Sequence, residues 1–156
     1  DNTISLSDQV YASTSIAALG VAAHEAGHAI QHAQGYLPNK IRTVLVPITN
    51  FGSRLAVPLI IVGLFLPVQY DFVVYLGIAL YSFAVLFQLA TLPVELNASF
   101  RAIRALDEAG ILYPDELEGA KKVLRAAAMT YLAASFTAIM SLLRLLVLAG
   151  NRRGRD

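Results

Sequence analysis

Apolar and polar positions divide this chain into long runs. Residues 16–34 are alanine-rich, follow three N-cap residues (Ser13, Thr14, Ser15) and stop before Gly35, which predicts one helix. Tyr36 to Lys40, with Pro38, reads as a turn. The second apolar region, 43–67, holds Asn50, Gly52, Ser53 and Arg54 in its first half and is cleanly apolar only from Leu55. A bilayer crossing takes about 20 residues, so this region spans only if both halves are used, with a kink at Pro58. After a turn at Val68–Asp71, residues 72–94 carry no charge. A buried core helix is the alternative for such a run, but uncharged runs of this length are rare in soluble domains. Residues 95–112 turn polar and stop at Gly110. Pro114 then opens another helix whose first turns hold Asp115, Glu116 and Glu118, as the macrodipole favours. Residues 126–149 are apolar again apart from small polar groups and Arg144. Residues 3–6 (Thr-Ile-Ser-Leu) alternate as a half-buried strand does. The expected fold class is mainly α: a single domain over 1–156 forming a membrane helical bundle, with a short N-terminal strand and spans near 43–67, 72–94 and 126–149.

Composition sharpens this. Of 156 residues, 56% are hydrophobic and 15% charged, against about 25% charged in a typical soluble domain, so a surface facing only water is not expected. The lipid bilayer is the expected partner. A net charge of +1 argues against nucleic acid. With no cysteine, a disulfide framework and a thiolate metal site are excluded, and any metal is held by His, Asp or Glu. The chain starts at Asp1 without a charged-then-apolar leader and reads as N-terminally truncated. A lone strand at 3–6 is not stable by itself, so its partners are expected in a missing N-terminal segment.

The chemistry is concentrated in His24-Glu25-Ala26-Gly27-His28, inside the first helix. Positions i and i+4 share a helix face, so His24 and His28 can present two imidazoles to one ion. Glu25 is close enough to reach a water on that ion. This is the H-E-x-x-H arrangement of zinc metalloproteases. A catalytic zinc usually takes three protein ligands. His32 is the nearest further histidine, but it lies eight residues from His24, about 12 Å of helix rise, and zinc–nitrogen bonds are about 2 Å. An unbroken helix therefore cannot bring all three imidazoles to one ion, and His32 is expected at the pocket or on the helix surface. The extended zincin pattern would need Gly at 31 and His at 34, and both are Gln. Glu95 ends the longest uncharged run, where an acid is costly without a partner. A hairpin of the spans 43–67 and 72–94 would return it toward the His24 helix. The alternative is an interfacial acid at a helix start.

The first motif, with Leu92-Pro93-Val94-Glu95-Leu96-Asn97-Ala98-Ser99 and Ala126-Ala-Ala-Met-Thr130-Tyr131, resembles the YugP-like family of neutral zinc metallopeptidases, which are bacterial integral membrane proteins. It is also similar to HtpX-type membrane zincins. The resemblance implies one Zn²⁺ held by His24, His28 and Glu95, Glu25 as catalytic base, and a peptide or protein substrate. Asn97 stands where relatives are expected to carry Asp and could support a ligand. His32, Arg101 and Tyr131 are candidates for stabilising the oxyanion, and the strand at 3–6 could pair with an extended substrate. The competing class is a non-enzymatic scaffold or transporter-like subunit with a chance motif, and a soluble metalloprotease is a third. Lys40, Arg42, Arg101, Arg104, Lys121, Lys122 and Arg125 fall on the presumed active-site side, which the positive-inside rule makes cytoplasmic. Arg152, Arg153 and Arg155 lie past the last span.

Overall fold

The computed structural model describes residues 3–153. Its elements are α1 (Asp8–Tyr11), α2 (Ile16–Ala33), α3 (Leu37–Phe65), a 3₁₀ turn (Val68–Tyr70), α4 (Phe72–Ala109) and α5 (Pro114–Arg153). The mainly helical expectation holds. The strand at 3–6 does not form: residues 3–7 have no regular structure, and no strand occurs among the described residues to pair with them. Alternation alone cannot satisfy backbone groups that need a neighbouring strand.

Local chemistry sets the helix ends. Ser15 caps α2, its Oγ accepting from the Ala18 N–H at 3.2 Å. Gly35 and Gly110, at φ +62° and +60°, take the left-handed conformation that ends α2 and α4. Glu116 Oε2 accepts from the Tyr113 N–H at the start of α5. The turn expected at 36–40 is instead the first turn of α3, because a proline so close to a helix start loses no intrahelical hydrogen bond. Three helical segments, Leu37–Phe65, Val68–Ala109 and Pro114–Arg152, are long and apolar enough to cross a membrane.

The chain divides into two compact units. The first holds residues through Lys40 together with Leu92–Leu132. Its core is Ala102, Leu106, Ala120 and Leu124, with Ile16, Leu19 and Ala23 of α2 packed against it. The second holds Ile41–Thr91 and residues from Ala133 onward. Its core is Ile60, Val74, Ile78 and Ala149. There Arg152 donates to the carbonyls of Gly63 and Leu66 at the end of α3. Its Nε also lies 3.1 Å from Oδ1 of buried Asp71, a charge contact without hydrogen-bond alignment. Phe51, Val62, Leu76, Phe136 and Val147 of this unit stay exposed, as lipid-facing side chains do.

Candidate active site

All the candidate chemistry lies in the first unit. His24 and His28 sit one turn apart on α2, and Glu95 and Ser99 one turn apart on α4, so each helix offers two polar groups on one face. Gly27 lets the faces meet: a Cβ built there would lie 2.6 Å from the Ala98 carbonyl oxygen. Backbone touches backbone between the two histidines, and Glu95, one turn before Ala98, reaches both rings. Glu95 Oε2 is 3.1 Å from His24 Nε2 and 3.4 Å from His28 Nε2. The two Nε2 atoms are 3.1 Å apart, with the rings perpendicular. Glu95 is only 2% exposed.

These three atoms are a metal-type donor set. The point equidistant from them lies about 1.9 Å from each, close to the roughly 2.0–2.1 Å of a zinc–nitrogen bond. His28 Nδ1 lies 3.0 Å from Gln31 Oε1, an acceptor, which favours a hydrogen on Nδ1 and the lone pair on Nε2 in a neutral ring. Lone pairs facing one another around a carboxylate repel unless a cation or a proton stands between them. The pKa of His28 is raised above the usual 6.5, first by the hydrogen bond to Glu95, against the lowering effect of burial, with Gln31 and the charges of Glu95 and Glu25 adding to the rise.

Around the donors lies a network. Gln31 is fully buried, and its Nε2 donates to Val94 O at 2.7 Å and Asn97 Oδ1 at 3.0 Å. Arg101 donates from Nε to Asn97 Oδ1 and from a terminal nitrogen to Gln34 Oε1, both at 2.7 Å, and lies over the Tyr36 ring. Ser99 Oγ is 3.1 Å from His24 Nδ1. Gln31 and Ser99 carried no role in the reading from sequence. The available signal for Gln31 was a polar side chain one turn past His28, on the same helix face.

Beside His28 runs an open groove of about 570 Å³, lined by Glu25, His28, His32 and Thr3–Ser5 among others. His32 is exposed there and stands apart from the three donors. Arg101 lines a separate cleft with Ile30 and Gln34. Tyr131, half-buried on α5, does not line the groove.

The profile of a family described as "putative neutral zinc metallopeptidase" matches residues 1–150. The chain belongs to this family. It is also 44% identical, over 98% of its length, to a Bacillus subtilis protein named "Putative membrane protease YugP", of which it spans 66%. No solved structure matches it. For a zinc metallopeptidase family, a buried carboxylate converging with two imidazoles is a suitable donor set, and the candidate spans fit a membrane protein.

Proposed function

We propose that the protein is a membrane-embedded, zinc-dependent endopeptidase in which His24, His28 and Glu95 hold the ion and Glu25 is the general base. The observation that carries this reading is the convergence of three metal-type donors from α2 and α4 beside a groove that Glu25 lines. Bound zinc supplies Lewis acidity toward a peptide carbonyl and lowers the pKa of a water. Glu25, one residue from His24 and partly exposed, accepts the proton of the attacking water and returns it to the leaving amine. Glu95 is buried and shared between two imidazoles, so its charge serves the cation and not proton transfer. Of the three oxyanion candidates, the lining of the groove favours His32. The groove is open along α2, which suits an extended peptide. The clustered cations support a cytoplasmic active site in a bacterial membrane.

The decisive variant is Glu25→Gln. We expect it to retain about one zinc per chain and to lose cleavage of a generic peptide substrate by roughly 10²–10⁴-fold. Retained proteolysis would remove Glu25 from the mechanism. A wild-type protein that binds no zinc would favour the non-enzymatic scaffold instead.

A further inference from the structure

We infer that Gln31 is a positioning residue that fixes the tautomer of His28, and that Asn97 and Arg101 hold Gln31 in the orientation that does so. Two groups here have no choice of role. A guanidinium only donates, so the Asn97 atom 2.7 Å from Arg101 Nε is the oxygen Oδ1. A peptide carbonyl only accepts, so the Gln31 atom 2.7 Å from Val94 O is the nitrogen Nε2. That nitrogen also lies 3.0 Å from Asn97 Oδ1, so its two hydrogens have one acceptor each. The remaining atom, Oε1, faces His28 Nδ1 at 3.0 Å and can only accept. Gln31 therefore favours a neutral His28 with its hydrogen on Nδ1 and its Nε2 lone pair toward His24 and Glu95, against the pull of the Glu95 carboxylate on an Nε2 hydrogen.

The Ser99 hydroxyl sets no such constraint on His24, because at Nδ1 it can donate or accept. A buried amide costs free energy unless it is hydrogen-bonded, and Gln31, at 0% exposure, uses both its hydrogens and its oxygen. Groups that orient a ligating histidine in this way typically change metal affinity 10–100-fold when removed. The inference rests on His28 being a ligand only where zinc affinity is the readout; the tautomer can be observed without metal.

The test uses the purified protein in detergent. ¹⁵N NMR of the metal-free protein at alkaline pH should show neutral His28 predominantly as the Nδ1–H form, and a predominant Nε2–H form overturns the inference. Gln31→Met removes the acceptor and both donations. It should shift His28 toward a mixture of tautomers and weaken zinc binding about 10- to 100-fold. Gln31→Glu also loses both donations but keeps an acceptor opposite Nδ1. Its second oxygen faces Val94 O and Asn97 Oδ1 and should cost stability, but the variant should keep the Nδ1–H form and bind zinc more tightly than Gln31→Met does. A residue that merely ties α2 to α4 would be impaired equally by both changes, and that result also overturns the inference. If Gln31→Met does not fold, the wild-type spectrum and Gln31→Glu decide. Absence of zinc binding in the wild type would defeat the peptidase reading and leave the tautomer to be judged on its own spectrum.

Discussion

In the proposed site, proton and metal would compete for one side chain, His28. In the metal-free protein the folded state raises the pKa of His28, chiefly through Glu95. A raised folded-state pKa means that protonated His28 stabilises the fold. That contribution is complete below the unfolded pKa of about 6.5 and is lost as pH rises through the folded value. Zinc needs the neutral ring, so its apparent affinity should move the opposite way and rise over the same interval. Thermal unfolding from about pH 6.5 upward, with and without zinc, should therefore show the His28 contribution to metal-free stability falling and zinc-induced stabilisation growing. His28→Ala should lose both trends, and a wild-type protein whose zinc stabilisation is independent of pH over this range would contradict the scheme. At this scale the sequence was informative where spacing along one helix sufficed. His24, Glu25 and His28 share two turns, and helix rise separates His32 from a common ion. Gln31 had only its place one turn past His28 to mark it, because its partners on α4, Val94 and Asn97, lie more than sixty residues away in the chain. Glu95 came into view only through the cost of an acid after an apolar run and through a family resemblance.

Helices and several of their ends were easier to read than their continuity. The caps of α2 and the acidic start of α5 were plain from Ser15, Gly35 and Asp115–Glu116. The continuity of α4 was not, because hydropathy changes at Glu95 while the helix runs on through Pro93 to Ala109. A change in the solvent a helix meets looks, in composition alone, like the end of the helix. Gly27 is a similar case. Inside a helix a glycine usually only weakens it, yet here it is the point where α2 and α4 touch. Gly27→Ala puts a methyl 2.6 Å from the Ala98 oxygen and must part the helices. We expect a loss of about 1–3 kcal/mol in unfolding stability, with weaker zinc binding because Glu95 withdraws from the histidines. Gly20→Ala, on the same helix, is the control. Its new Cβ would meet Leu124 at 3.8 Å, an ordinary contact, so the exchange should stabilise by roughly 0.5–1 kcal/mol. Denaturant unfolding of both variants in one detergent separates the effects. Equal stability of the two would show that the close approach at Gly27 does not constrain the site.

On the scale of the molecule, the distribution of charge decides what surrounds the helices. α4 has 38 residues and α5 has 40, roughly 57 and 60 Å of rise against a hydrocarbon core of about 30 Å, so neither can be wholly embedded along the normal. Charge divides each of them. Residues 72–94 of α4 are uncharged while Arg101, Arg104, Asp107 and Glu108 follow, and the charges of α5 gather before residue 126, with Arg144 the exception before Arg152. The spans 72–94 and 126–149 expected from the sequence are thus the apolar parts of longer helices. The charged parts are where water is expected, and on the proposed orientation Arg101, Arg104, Lys121, Lys122 and Arg125 would place that water in the cytoplasm by the positive-inside rule. Absence of cysteine makes the assignment directly testable. Glu118 is exposed on the charged part of α5, and its contact with Arg125 at 3.9 Å is a surface pair of little energetic weight. Glu118→Cys introduces a single thiol there. In intact bacterial cells a membrane-impermeant maleimide should leave that thiol unlabelled, and permeabilised cells should label it fully. The protein should also stay with the membrane through an alkaline wash and need detergent for release. Labelling from outside would put the groove and its carboxylates on the outer face, where the substrates would be secreted or surface segments, not cytoplasmic ones.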